Sequence, residues 1–240
     1  MGIKGSSMLL RKLILIVSLI LFICASALWA GDVASFIDMG FSADGKIYMF
    51  GQYGVLSPAL KPWAELYVVD VSSNNFVPNG RMSYTQDSPI KAGQDGSGTF
   101  FRLVANNSAF TSKYNINFQN QGLPLYISRD EHPSPNGEII EFRDFLTGKA
   151  YKAELIPRRE GSGQNVRSWF HINLESKAQN GQIKNYTIGN PQIKRQKIET
   201  YNINRVLIDP RGESIIFIIE MKRVSDSGYD IRYMVEVQRL

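Results

Sequence analysis

Apolar positions along this chain fall in short runs broken by glycine, asparagine and aspartate, instead of recurring at the three-to-four residue spacing of long helices. Asp32 to Phe36 reads as a short strand or turn. The stretch from Met39 to Phe50 is apolar on both sides of Asp44-Gly45, a dipeptide that tolerates the positive backbone angles of a tight hairpin turn. Gly51 to Pro62 then reads as a loop and Ala64 to Val71 as a strand rich in β-branched and aromatic residues, with Phe76-Val77 as its return after the turn at Ser72 to Asn75. Near the other end, Val206 to Glu220 repeats the apolar, turn, apolar layout with Gly212 in the place of Gly45. Tyr233-Met-Val-Glu-Val237 follows Gly212 by 21 positions, and Tyr67-Val-Val-Asp-Val71 follows Gly45 by 22. Matched spacing predicts two similar hairpin units, near residues 39–77 and 206–238, as a repeat or as two hairpins that share turn chemistry.

Between these units, Asp95-Gly-Ser-Gly-Thr predicts a helix start with Ser97 or Thr99 as cap, continuing through Phe100, Phe101, Leu103, Val104 and Phe110 to Tyr114. Leu125 to Ile127, Ile139 to Phe145, Tyr151 to Ile156 and Ser168 to Leu174 read as strands, with Thr147-Gly148 as a turn. The polar stretches Arg158 to Arg167 and Gln179 to Lys184 read as exposed loops. Strands not separated by helices exclude a doubly wound α/β sheet and predict a mainly β fold with one or two helices. Two arrangements remain open: packed antiparallel sheets, or a distorted small propeller-like arrangement.

Composition changes this picture chiefly at the N-terminus. Lys4, Arg11 and Lys12 precede 18 uncharged residues, Leu13 to Ala30, with small residues Ala25, Ser26 and Ala27 near the end, the layout of a secretory signal peptide over residues 1–30. An uncleaved N-terminal anchor and lipidation at Cys24 are the alternative readings of the same segment. Cleavage after Ala30 leaves 24 basic and 22 acidic residues in one domain of residues 31–240, with no thiol and no transmembrane span. A charge of +2 argues against a nucleic-acid partner. Export without disulfides requires a hydrophobic core large enough to hold the fold by itself.

Candidate chemistry is sparse. His132 sits beside Pro133-Ser-Pro135, and His171 beside Trp169-Phe170 in a strand, too few ligands for zinc. Gly96-Ser97-Gly98 and Gly161-Ser162-Gly163 lack the spacing of a nucleophile elbow, and no phosphate-binding or dinucleotide glycine pattern occurs. Asp87 and Asp95 around Gly93, and Asp226 and Asp230 around Gly228, do not match a calcium loop. Glu138, Glu141 and Asp144 are the carboxylates nearest to an acid–base pair, because the even separation of Glu138 and Asp144 puts them on one strand face. Lys184, Lys194, Arg195, Lys197 and Arg205, interleaved with Tyr186 and Tyr201, form a basic group suited to an anionic surface or to a solvated strand face.

Several stretches carry a resemblance. Phe41-Ser-Ala-Asp-Gly-Lys46 and Glu65-Leu-Tyr-Val-Val-Asp-Val71 resemble TolB-like β-propeller repeats. Gly31-Asp-Val-Ala-Ser-Phe36, Gly40 to Gly45, Phe50-Gly-Gln-Tyr-Gly54, Tyr186-Thr-Ile-Gly-Asn-Pro191 and Ile231-Arg-Tyr-Met-Val-Glu236 are similar to an uncharacterised family of predicted secreted proteins of spirochaete bacteria. That resemblance implies secretion and supplies no activity. The reading is therefore of an exported periplasmic or envelope-associated binding or structural module, without cofactor or catalytic residue. A carboxylate-dependent hydrolase of envelope glycan or peptide is the alternative. Tyr53, Trp63, Arg158, Arg159, Lys194 and Arg195 are the expected contact residues, facing an envelope protein or an anionic glycan or lipid surface.

Overall fold

The computed structural model describes residues 31–129, 134, 136–226 and 228–240. Residues 1–30, read as a signal peptide and containing Cys24, and His132 lie outside the described residues. In chain order the elements begin with strands β1 (Ser35–Ser42), β2 (Ile47–Leu56), β3 (Lys61–Asp70) and β4 (Asn75–Thr85), followed by helices α1 (Ser97–Asn106) and α2 (Ser108–Lys113). Two short strands follow, β5 (Ile116–Asn117) and β6 (Leu123–Ile127). Next come β7 (Glu138–Arg143), β8 (Ala150–Glu160), β9 (Arg167–Lys177) and β10 (Ile183–Ile188). The chain closes with β11 (Arg195–Gln196), β12 (Ile198–Ile208), β13 (Ser214–Ser225) and β14 (Gly228–Arg239).

These strands make three antiparallel sheets. The first has the order β4-β3-β2-β1-β5, the outer sheet β10-β9-β8-β7 with β11 also on β9, and the central sheet β14-β13-β12-β6. Residues Ser214 to Ile219 of β13 are all buried, because this strand is covered on both faces. Ile215, Phe217 and Ile219 join Phe170, Ile172 and Leu174 of the outer sheet in one core. Ile216 and Ile218 point the other way and pack with Phe41, Tyr48 and Phe50 of the first sheet. A third core lies between the far face of the first sheet and α1, where Met49 and Leu66 meet Phe100 and Leu103. The layers thus run in series as helix, first sheet, central sheet and outer sheet. Of the two predicted arrangements, this is the packed antiparallel one, with two short helices.

Strand β12 shows how register serves this stack. Ile203 and Val206 both belong to the core against the outer sheet although an odd number of positions separates them. A bulge between Ile203 and Arg205 supplies the extra residue that restores the alternation.

Three sequence expectations need correction. Gly51 to Pro62 is not a loop: β2 runs on to Leu56 and β3 starts at Lys61. Gly51 is there for clearance, since a Cβ would lie 2.3 Å from the Phe100 ring and 2.9 Å from the Glu65 carbonyl oxygen. Arg158 to Arg167 is not loop throughout: its first three residues close β8 and Arg167 opens β9, with an exposed turn containing the 3₁₀ segment Gly163–Asn165 between them. Neither Ser97 nor Thr99 caps α1, which begins after Gly96. The Ser97 hydroxyl and amide both donate to Asp95 Oδ1, at 2.6 and 3.1 Å, so that hydroxyl does not turn back to the helix. At Asn107 the helix breaks in two, its side-chain amide donating to the Leu103 carbonyl at 2.8 Å in competition with the backbone.

Before β1, Asp32 is held in a buried charge cluster. Its carboxylate accepts the Trp63 indole N–H, Arg232 Nη2 at 2.8 Å and the Val55 amide at 3.2 Å. Asp230 accepts the Asp32 amide at 3.1 Å and Arg223 Nη2 at 2.7 Å, while the Arg232 guanidinium lies 4.0 Å from the Trp63 ring centroid. Two carboxylates and two guanidinium groups balance, and together they tie β2 and β3 to β13 and β14.

Two measurements probe this account. Gly51→Ala is expected to destabilise the protein by about 1–3 kcal/mol in urea denaturation, because the Phe100 ring and the backbone of β3 must give way. Arg232→Met should cost about 3–5 kcal/mol in the same assay by leaving Asp32 buried without its cation; a change below about 1 kcal/mol would show that the cluster does not hold the sheets together.

Candidate functional site

The outer sheet has one face in the core and one in solvent, and its strands alternate accordingly. On β9 the even-numbered residues from Ser168 to Ser176 are buried, while Arg167, Asn173, Glu175 and Lys177 are exposed and Trp169 and His171 half-buried. Pairing extends this free face across the sheet: Glu141 lies opposite Lys152, which lies opposite Glu175, and Glu175 lies opposite Asn185. The middle of the face is a shallow depression of about 440 Å³ lined by such mixed polar residues, Lys152, Glu154, Asn173 and Glu175 among them.

One end of the face has a different character. Arg158 lies opposite Trp169 and therefore shares its side of the sheet, and Glu160 lies opposite Arg167. Lys194 reaches over from the segment before β11, with its ammonium 4.8 Å from the Trp169 ring centroid and 2.9–3.0 Å from both Glu160 oxygens. Arg159 is also exposed but lies opposite the buried Ser168, which puts it on the other side of β8 at the margin of the core. The result is a tryptophan bordered by Arg158 and Lys194, with Arg159 and Arg167 close in the ladder and Glu160 as the acid paired with Lys194.

Four of the six expected contact residues, Arg158, Arg159, Lys194 and Arg195, come together at this end, but Arg195 faces inward. It pairs with Ser168 in the ladder, its guanidinium sits 5.0 Å from the Phe170 ring centroid, and Nη2 is 3.4 Å from Glu236 Oε1. Glu236 also accepts Asn74 Nδ2 at 2.7 Å, and Asn74 Oδ1 accepts the Val237 amide at 2.8 Å. Arg195 therefore fastens the outer sheet to the central one at a carboxylate that the first sheet also grips, and burial holds that carboxyl above its usual range. Tyr53 and Trp63 are elsewhere, on the first sheet. Tyr53 packs on Phe100 at 5.8 Å and Trp63 is only 5% exposed, so its ring offers no free face. Trp169 and Arg167 are the members of the cluster that the sequence did not single out as contacts. Their placement beside Arg158 depends on the β8–β9 register, which spacing alone does not set.

The basic group read from the sequence is dispersed. Arg205 lies with its guanidinium 5.5 Å from the Phe36 ring centroid, on the first-sheet side of β12, and Tyr201 is buried, sharing a 2.8 Å hydrogen bond with the Ser168 hydroxyl. Of the expected carboxylates, Glu138 and Asp144 are committed to structure, whereas Glu141 is exposed on the free face, 3.8 Å from Lys152. Glu138 and Asp144 both turn inward, as alternation predicts, but Glu138 accepts the Ile203 amide. Asp144 accepts the Leu146 amide at 2.9 Å and the Thr147 hydroxyl, and those donors hold its carboxyl below the usual range against the effect of burial. Glu65 accepts Gln52 Nε2 and the Tyr67 hydroxyl, each at 2.7 Å, and Glu220 accepts the Tyr233 hydroxyl at 3.2 Å. His171 lies opposite Ile156, half-buried in β9. Among the described residues, no group of three or more His, Cys, Asp or Glu side chains is placed to hold a metal ion.

Burial also acts on a carboxyl of the first sheet. Burial pushes Asp38 of β1 up to about 6, against the opposing pull of the Gly40 amide and the Arg205 charge. A carboxyl whose folded value exceeds its unfolded one binds more protons when folded, so its contribution to stability is greatest below about pH 4 and falls until about pH 6. Asp38→Asn keeps an oxygen for the Gly40 amide and removes this penalty. It is expected to gain up to about 3 kcal/mol relative to the parent between pH 4 and pH 8 in urea denaturation; a pH-independent difference would refute the assignment.

Among the described residues no helix is long and apolar enough to cross a membrane. Compared with curated proteins and with solved structures, the chain matches none. A family model described as "Predicted secreted protein (DUF2259)" matches residues 49–239, which takes in the central and outer sheets and all of the first sheet except β1 and the start of β2. The chain therefore belongs to the DUF2259 family of predicted secreted proteins.

Proposed function

We propose that this protein is an exported, non-catalytic binding module of the periplasm or cell envelope, with an anionic glycan as its ligand. The observation that carries the reading is the Arg158, Trp169 and Lys194 cluster on the free face of the outer sheet. An indole ring offers a sugar an apolar surface, and the guanidinium groups beside it offer paired donors to a carboxylate or phosphate substituent. Arg158, Arg159 and Arg167 have a nearby acid in Glu160, which already bonds Lys194, so the end of the sheet keeps a positive excess. Glu138 and Asp144, the pair placed on one strand face, serve as acceptors for backbone and threonine donors, which favours binding over acid–base chemistry there.

Titration with dextran sulfate, and with uncharged dextran as the control, tests this. The parent protein is expected to bind the sulfated polymer alone, and more weakly as salt rises. Trp169→Ala and Arg158→Glu should each weaken binding about tenfold or more with the melting temperature little changed. Equal affinity of the parent and both variants would remove the cluster from consideration.

A further inference from the structure

We propose that the opposite end of the outer sheet is a docking tip that inserts into an anionic lipid bilayer. The hairpin between β7 and β8 ends in Asp144-Phe-Leu-Thr-Gly-Lys149, and its two leading side chains are almost entirely in water: Phe145 is 89% and Leu146 83% exposed. They are the two most exposed large apolar residues among those described, and they are adjacent. Isolated exposed apolar residues need no special account, but two neighbours at the apex of a hairpin form a wedge.

The turn is built to hold them there. Asp144 accepts the Leu146 and Thr147 amides at 2.9 and 3.4 Å and the Thr147 hydroxyl, while its carbonyl accepts the Gly148 amide at 2.8 Å and its amide donates to the Lys149 carbonyl at 2.9 Å. Gly148 takes the positive φ of 69° that the reversal needs. Below it, Phe142 and Tyr151 stack at 5.3 Å in the core, so the tip stands on a fixed base. None of these contacts uses the side chain of Phe145 or Leu146, and the fold would accept polar residues at both positions.

Charge complementarity selects the occupant. The neighbouring turn between β9 and β10 lies against this one, for a Cβ on Gly148 would meet the Gln179 side chain. Across residues 143–149 and 177–184 the sequence has Arg143, Lys149, Lys177 and Lys184 against Asp144 alone, a net charge of +3. Ile183, half exposed at the start of β10 and opposite Lys177, adds a third apolar side chain beside the wedge. An apolar apex with a cationic collar is the arrangement that peripheral proteins use at negatively charged lipid headgroups, where the apolar groups enter the interface and the bases meet the anions. This tip and the Trp169 cluster occupy opposite ends of the same sheet, and the inference does not depend on the glycan reading.

Co-sedimentation of the full exported protein with vesicles tests it, using phosphatidylcholine alone and with about one-third phosphatidylglycerol. The parent should pellet with the anionic vesicles, much less with the neutral ones, and release as salt is raised. Phe145→Ser combined with Leu146→Ser should lower partitioning about tenfold or more at an unchanged melting temperature, and Lys177→Glu with Lys184→Glu should do the same. Phe145→Trp provides an independent readout, because its added fluorescence should shift to the blue and be quenched by brominated lipid when anionic vesicles are present. Absence of binding to anionic vesicles, or equal binding by the parent and the serine variant, would overturn the proposal. Dextran sulfate binding by the serine variant separates its failure from that of the glycan reading.

Discussion

Everything in this structure depends on a central sheet that has no solvent face at its middle strand. Strand β13 sends Ile215, Phe217 and Ile219 to one neighbour and Ile216 and Ile218 to the other, so it contributes to the cores on both faces of the central sheet. The hydrophobic effect acts on both faces at once, and about 1.5–3 kcal/mol for each large apolar side chain accumulates over a few residues. A chain with no thiol between residues 31 and 240 can hold three sheets in this way without cross-links.

Polar groups then fix how the layers sit. Glu236 is gripped by Asn74 from the first sheet and by Arg195 from the outer one. Gln52 exchanges two hydrogen bonds with the Tyr233 backbone, and Asp32 joins Trp63 to Arg232. Apolar packing alone tolerates sliding, whereas a buried charge or amide has a satisfied position and costly unsatisfied ones. The same accounting bears on function. Glu138, Asp144, Glu65 and Glu220 are engaged in joining strands and turns, whereas Glu141, Glu154 and Glu175 stand on the outer sheet's free face.

The sequence was most informative where a local rule sufficed. Asp44-Gly45 and Thr147-Gly148 both lie at hairpin turns, with Gly45 and Gly148 at φ near +70°. Strands β6 to β9 appear close to where β-branched and aromatic residues predicted them, whereas β10 begins inside a stretch read as loop and β12 starts at Ile198, eight residues before the predicted unit. Misreadings occurred where a distant partner decides. Gly51 and Gly54 look like loop residues until Phe100 and Asp32 are placed against them. Arg158, Arg159 and Arg167 look like an exposed loop until β8 and β9 are paired through them. The candidate site was half legible for the same reason: Arg158 and Lys194 were identified as exposed bases, but Trp169 becomes their neighbour only through strand register and the path into β11.

By itself, then, the sequence determined the mainly β character, the positions of several turns and the scarcity of metal-binding or nucleophilic residue types. These follow from local steric preferences, from the period of two along a strand and from the kinds of side chain present. Only the tertiary structure decided that the last strands of the chain form the middle layer, that Trp63 and Arg195 are interior, and that Phe145 and Leu146 stand clear at a tip. Burial is a property of what packs against a residue, and here those partners lie as far apart in the chain as Asp32 and Arg232.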